Sequence, residues 1–152
     1  MNSTDSANLS NLAKIGQLDP VPLSQALVLR MLAAARSRLK DAALKQNSAE
    51  TRFDCAYTAI RASADIGLHL KGYRTSTGKP GHHQTALQSM GHTLGVDAST
   101  LQLLDSLRRQ RNLSDYDGEP VTLAALTECL QQAATILASV ERLIGSRFPA
   151  DG

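Results

Sequence analysis

The chain of 152 residues is long enough to form one domain with its own hydrophobic core. Its 42% apolar and 20% charged residues are an ordinary globular mixture, which argues against a disordered chain. The 3% aromatic content disfavours a binding protein built on exposed stacking rings, and the net charge of +2 disfavours one that coats nucleic acid non-specifically. No apolar run approaches the length that spans a bilayer, and the polar N-terminus lacks a signal-peptide core, so we expect a soluble cytoplasmic protein.

Residues 1–20 form a polar N-terminal segment that ends at a pair of prolines, Pro20 and Pro22. It carries one weak apolar cluster at Leu9, Leu12 and Ile15, and both disorder and packing across the rest of the chain are open. A single helical domain is expected over residues 21–147, followed by a short tail over 148–152.

Apolar residues at steps of three and four predict five helices in this domain, at about 22–45, 49–70, 82–94, 99–117 and 122–145. The last helix has the most regular period, through Leu123, Leu126, Leu130, Ala133, Leu137, Val140 and Ile144. No segment alternates like a strand. The sequence therefore predicts an all-α fold, an up-and-down bundle of four to five helices.

Arg111 interrupts the apolar pattern of the fourth helix. It lies four residues after Leu107 and seven after Leu104, where another leucine is expected on the apolar stripe. A buried arginine must be paired, so a structural ion pair with Asp115, or with Asp54 or Asp65 on the second helix, is one interpretation. The other is a guanidinium that meets phosphate in a cleft between helices or between two subunits.

The stretch between Asp65 and Asp97 contains no carboxylate but holds Arg74, Lys79 and all four histidines. Such a positively biased loop suits a phosphate backbone, although a solvated loop can have the same composition. The adjacent His82 and His83 point to different faces, and no HExxH pattern or other metal-ligand spacing is present. We therefore predict no metal site and no cofactor, and we expect Cys55 and Cys129 to be buried reduced thiols.

Residues 107–117 (LRRQRNLSDYD), the helix at 52–62 (RFDCAYTAIRA) and the Gly81-His82-His83 entry to a short helix together resemble HEPN domains, the higher eukaryotes and prokaryotes nucleotide-binding family. The resemblance covers roughly residues 25–145. It implies a small helical bundle, commonly a homodimer, with the signature residues in a cleft at the two-fold interface. Many members are metal-independent ribonucleases, often toxins paired with a nucleotidyltransferase-type antitoxin.

Carried over by this resemblance, the candidate catalytic residues are Arg111, its polar neighbour Asn112, and Tyr116 in the place of the family's histidine. Tyrosine has an ordinary pKa of about 10 and is a poor base at neutral pH, so the proton-transfer half of the chemistry is altered. On a straight helix Tyr116 lies about 140° from Arg111. The two can share a cleft only if the helix unwinds after Asn112 or if a partner subunit supplies one of them.

The resemblance and the charge pattern together give three functional hypotheses. The first is an RNA-binding or metal-independent RNA-cleaving protein of the HEPN type, with further nucleic-acid contacts from Arg108, Arg74, Lys79, His82 and His83. The second is a non-catalytic HEPN-like module that binds a partner protein or a nucleotide. The third is a purely structural adaptor, in which Arg111 forms a satisfied ion pair within its own chain.

Overall fold

A computed structural model describes residues 3–150 and shows a helical protein with one small sheet. The elements in chain order are α1 (Ser3–Lys14), β1 (Leu18–Pro20), α2 (Gln25–Ala43), α3 (Ala49–Leu70), β2 (Tyr73–Thr75), α4 (His82–Thr93), α5 (Ala98–Asp117) and α6 (Leu123–Arg147). The predicted all-α class is confirmed. Within residues 3–150 the five helices predicted over residues 21–147 are present as α2 to α6, and α1 in the N-terminal segment is a sixth that was not predicted. The expectation that no strands form was wrong.

Most helices begin at a side-chain cap that the sequence signals. Ser24, Ser48, Asp97 and Thr122 each accept a hydrogen bond from the backbone N–H three residues further on. α4 differs, because its N-cap is Gly81, which has a φ of +75° and forms no side-chain cap hydrogen bond. The first turn of α4 therefore begins without a side-chain acceptor for its N–H groups.

α3 is the central helix and packs against α2, α4, α5 and α6. Small residues let its neighbours approach closely: a methyl group added at Gly67 would lie 2.9 Å from Thr93 Oγ1 of α4. α6 places its predicted apolar stripe in the core, as the burial of Leu126, Val140 and Ile144 shows. Leu123, the first residue of that stripe, is instead 78% exposed.

Residues 3–20 pack on the bundle and do not form a disordered leader. Leu9 of α1 and Leu18 of β1 are both buried and share an apolar cluster with Leu68 of α3. β1 pairs antiparallel with β2, so that Leu18 lies opposite Thr75. Two buried leucines in an otherwise polar segment, packed on Leu68 of α3, thus hold it in place. Residues 1, 2, 151 and 152, which belong to the predicted N-terminal and C-terminal segments, lie outside the described residues.

The expectation that no apolar run approaches membrane-spanning length is wrong for α6, whose 25 residues are long and apolar enough to cross a membrane by length and composition. One such helix is weak grounds for a membrane span, because the core helix of a soluble protein has the same properties. α6 packs along α3 and α2 and supplies buried side chains to both main apolar clusters.

Candidate functional site

Arg111 lies on α5 and faces α3. Its Nε atom is 3.1 Å from Asp54 Oδ1 of α3 and 3.1 Å from Asp115 Oδ2, one turn further along α5. Burial lowers the pKa of this half-buried guanidinium, but the hydrogen bond to Asp54 and the charge of Asp115 raise it overall. Two of the three carboxylates considered as structural partners therefore contact Arg111, and the third, Asp65, does not.

The guanidinium carbon of Arg111 also lies 5.7 Å from the centre of the Tyr57 ring. Tyr57 is 3% exposed, and its hydroxyl has no hydrogen-bond partner within residues 3–150. Burial raises the pKa of Tyr57, while the charges of Arg111, Arg61 and Arg108 oppose that rise. This buried hydroxyl thus lies within the electrostatic influence of three arginines and lacks an acceptor within the described chain, which carries a cost of roughly 1–3 kcal/mol.

His83, in the first turn of α4, completes this cluster. Its Nε2 atom is 2.8 Å from Nη1 of Arg61. Because a guanidinium can only donate, Nε2 accepts and the ring proton lies on Nδ1. We call the group Tyr57, Arg61, His83, Arg108 and Arg111, between α3, the start of α4 and α5, the arginine seam.

The electrostatics of the seam keep this imidazole neutral. Burial lowers the pKa of His83 to about 4, and the charges of Arg61 and His82 act in the same direction. The rings of His82 and His83 also meet edge to face, with their centres 4.3 Å apart. At neutral pH His83 is therefore an uncharged hydrogen-bond donor at Nδ1, and its acceptor atom is already occupied by Arg61.

Asp65 lies on α3 one turn after Arg61. Burial raises its pKa to about 6, although the charges of Arg61 and His82 favour the ionised form. Its position beside two potential cations therefore does not compensate for the loss of water around the carboxylate.

Carboxylates offset the arginines of the seam. Arg108 is held by Asp105, with Nη2 3.0 Å from Oδ1, in the same way that Arg111 is held by Asp54 and Asp115. The seam is thus nearly balanced in charge at neutral pH. An external anion would have to replace a carboxylate at a guanidinium that is already paired.

The three predicted catalytic residues do not meet within one chain. Asn112 and Tyr116 lie one turn apart on the outer face of α5, where with Leu113 they border a shallow groove of about 360 Å³. Tyr116 is 80% exposed, whereas Arg111 points into the seam. α5 stays helical to Asp117, so the unwinding that would bring Tyr116 to Arg111 does not occur. Supply of one of the two by a partner subunit stays a prediction.

The predicted nucleic-acid contacts divide into two groups. Arg108 and His83 belong to the seam, and His82 adjoins it. Arg74 is exposed on β2, 3.9 Å from Asp19, and the side chain of Lys79 lies beside Gly16. These last two cations therefore lie beside the N-terminal segment, and no contact within residues 3–150 joins them to Arg111.

Sequence reasoning missed Tyr57 and Arg61 as members of this region, and it named Asp65 only as a possible partner of Arg111. Their spacing of four residues places them on one face of α3, and this was the available signal. Their importance depends on His83, which comes from another helix. Across the described part of the chain, no three His, Cys, Asp or Glu side chains are grouped as a metal site.

Comparison of the chain with protein-family models, curated proteins and solved structures finds no match. The resemblance to HEPN domains therefore depends on residues 52–62, 81–83 and 107–117 alone.

Proposed function

We propose that the protein is a cytoplasmic, HEPN-like RNA-binding domain whose arginine seam contacts RNA phosphate. The observation that carries this proposal is the buried Tyr57 hydroxyl, which has no hydrogen-bond partner within residues 3–150 and whose ring lies 5.7 Å from the Arg111 guanidinium carbon. The charges of Arg61 and Arg108 also act on this hydroxyl. A phosphate oxygen would accept from this hydroxyl and from a guanidinium at once. Because this hydroxyl is buried, a phosphate could reach it only if a covering side chain moved, and its oxygen would then supply the acceptor that the described chain lacks.

The start of α4 supports the same ligand chemistry. Its first turn has no side-chain cap, and His82 and His83 stand there beside Arg61. Unpaired N–H groups and the positive end of the helix dipole both favour an anion at this position. A phosphate that reached Tyr57 would thus have a second group of donors close by.

The charge balance of the seam determines the strength and the salt dependence of this binding. Because Arg111 must exchange Asp54 or Asp115 for phosphate, we expect weak binding that is best measured at low salt. One or two phosphates contacted on single-stranded RNA give a slope of roughly −1 in a plot of log affinity against log salt.

RNA cleavage is a further step of this proposal, and we do not expect it from one chain. His83 already accepts from Arg61 at Nε2, and Tyr116 lies on the opposite face of α5 from Arg111. Metal-independent cleavage would need a homodimer in which a second copy brings its own Tyr116 to the seam. A role as a toxin paired with a nucleotidyltransferase-type antitoxin would require RNA cleavage, and therefore this homodimer.

The test is fluorescence anisotropy of a labelled single-stranded RNA in a metal chelator, with a gel to detect cleavage. Arg111→Ala should lower the affinity about tenfold or more. The exposed Arg109→Ala on the same helix is the matched control and should change it less than about twofold. Tyr57→Phe should also weaken binding without lowering the free energy of unfolding, because its hydroxyl has no partner.

Equal losses in the Arg109 and Arg111 variants would indicate non-specific attraction, and no binding at low salt would remove the RNA proposal. If Tyr57→Phe binds RNA with the affinity of the wild type, the buried hydroxyl does not contact phosphate.

A second candidate function is a protein-interaction module, favoured by the exposed apolar side chains on α5 and at the start of α6. Leu113, Tyr116 and Leu123 are 44%, 80% and 78% exposed. Sedimentation of the wild-type chain and of Tyr116→Ser measures self-association through this face. This function would be favoured over RNA binding by two results together. The wild-type chain would form a dimer that Tyr116→Ser dissociates, and the wild-type chain would show no affinity for RNA.

A further inference from the structure

Large hydrophobic side chains that stay exposed collect on two separate faces of the molecule. Leu113 and Tyr116 of α5, together with Leu123 at the start of α6, form the first, which we call the α5 face. Leu29 of α2 and Leu44 at its C-terminal end lie on the second and are 44% and 38% exposed. Five of the six exposed large hydrophobic side chains among residues 3–150 thus belong to these two faces. Hydrophobic exposure that is clustered, and not scattered singly, is typical of surfaces that contact another protein.

The second face is a continuous stripe along one side of α2, and it is basic. Arg36 is held by Glu141, with Nη2 2.7 Å from Oε2, whereas Lys40 has no ion-pair partner within residues 3–150. Arg30 and Lys45, both exposed, flank the stripe and are likewise without an ion pair in the described chain. The stripe, which we call the α2 face, follows steps of three and four residues through Leu29, Ala33, Arg36, Lys40 and Leu44. Its electrostatic complement is an acidic surface.

The α5 face has an acidic border. Asp117 lines its groove of about 360 Å³, and Glu119 follows in the loop toward α6. Neither carboxylate has an ion-pair partner within the described residues. Arg109 also lines the groove, but its Nε atom lies 3.5 Å from Asp105 Oδ2, which offsets this cation. The net charge of the α5 face is therefore negative.

The end of α5 adds to this negative charge. Its last turn holds Asp115 and Asp117 and no basic residue. The C-terminus of a helix carries the negative end of the helix dipole, so a carboxylate there is unfavourable and a cation is favourable. Asp115 is compensated by Arg111 at 3.1 Å, whereas Asp117 is left at the groove beside Tyr116. A positively charged surface that docks here would supply the missing cation.

We propose that the α2 face of one copy docks on the α5 face of a second copy, in a head-to-tail contact. Opposite charges meet in this contact, whereas either face paired with itself would bring like charges together. Both faces are exposed within one chain, so the contact leaves one free face of each kind and further copies can add. It therefore differs from the two-fold homodimer that the HEPN resemblance implies.

This inference rests on the second candidate function, in which the α5 face binds a protein, and it names the partner. It does not depend on RNA binding, because neither face includes a side chain of the arginine seam. The α2 face is only roughly 22 Å long from Leu29 to Leu44, which is small for a stable interface. We therefore expect weak association, detectable at protein concentrations of roughly 10 µM and above, and weakened at least about fivefold between about 20 mM and about 500 mM salt.

The test is sedimentation velocity on the full-length chain with two surface variants, each of which removes one face. Leu29→Ser/Leu44→Ser lacks the α2 face, and Tyr116→Ser/Leu123→Ser lacks the α5 face. Each variant alone should stay monomeric at a concentration at which the wild type associates. An equimolar mixture should form a complex of one copy of each and stop there, because the first variant keeps an intact α5 face and the second an intact α2 face. Lys40→Glu should also weaken association of the chain, by about fivefold or more.

Ile15→Ser is the matched control, because Ile15 is 65% exposed on the N-terminal segment and belongs to neither face. It should leave association unchanged, and circular dichroism verifies that all variants fold. The proposal is overturned if the wild-type chain stays monomeric up to about 500 µM at low salt, or if the mixture of the two variants gives only monomers. A dimer that Tyr116→Ser/Leu123→Ser abolishes but Leu29→Ser/Leu44→Ser keeps would also overturn it. That result would still leave the α5 face as a self-association surface, and with it the second candidate function.

Discussion

The carboxyl group of Asp65 should lower the stability of the folded protein at neutral pH. Burial raises its pKa from 3.8 to about 6, even though Arg61 and His82 lie near enough to favour the charge. At about 1.4 kcal/mol for each pKa unit, this change corresponds to at most roughly 3 kcal/mol of free energy. Asp65→Asn should therefore raise the free energy of unfolding by about 1–3 kcal/mol at pH 7.5.

The pH dependence of this effect follows from linkage. The folded state binds the Asp65 proton more tightly than the unfolded state, so the cost of the carboxylate develops as the pH rises from about 4 to about 6. Above pH 6 the difference between Asp65→Asn and the wild type should be constant, and at pH 4 it should nearly vanish. His83, whose lowered pKa has the opposite effect on stability, is present in both proteins and cancels in the difference.

Urea denaturation followed by circular dichroism at pH 7.5, 6 and 4 measures these differences. Asp117→Asn, at an exposed carboxyl near the end of α5, is the control and should shift stability by less than about 0.5 kcal/mol at each pH. A destabilised Asp65→Asn at pH 7.5 would refute the reasoning, because the charge would then stabilise the fold through Arg61. So would an effect of the same size at pH 4.

Three further predictions concern packing and the seam. Leu9→Ala should lower the free energy of unfolding by about 2–4 kcal/mol, and a loss below 1 kcal/mol in urea would show that α1 is not part of the cooperative fold. Gly67→Ala should lower the free energy of unfolding by about 1–2 kcal/mol, although alanine has the better helix propensity, because the added methyl group meets Thr93 of α4. Adding Thr93→Ala should restore part of this loss. If Gly67→Ala leaves the free energy of unfolding unchanged, α4 moves aside freely. Asp54→Asn should raise RNA affinity about threefold by releasing Arg111, whereas an unchanged anisotropy curve would assign the arginine to structure alone.

The regular parts of the fold could be predicted because local patterns determine them. α3 was expected at 49–70 and lies at Ala49–Leu70, with Ser48 as its side-chain cap, and α6 follows its period of three and four. The N-terminal segment was harder, because its place depends on Leu9 meeting Leu68, some sixty residues away. The strands are three residues each, too short to give an alternating pattern.

The candidate site was predictable only where one helix defined it. The position of Arg111 on the apolar stripe and its partner Asp115 followed from helical spacing. Asp54, on α3, was one of two alternatives there that the sequence could not separate. The bond between Arg61 and His83 joins two helices and could not be read from either one. Tyr116 was assigned from a family pattern, and the unbroken course of α5 separates it from Arg111.

The 2.8 Å contact between Arg61 and His83 has a spectroscopic consequence. Neutral imidazole in water favours the tautomer protonated at Nε2, whereas this ring is held in the other one. Its nitrogen resonances should therefore stand apart from those of the remaining histidines. An RNA phosphate that draws the Arg61 guanidinium away would allow the His83 ring to return to the Nε2-protonated tautomer. The nitrogen resonances of His83 would then report bound RNA even when binding is too weak to isolate a complex.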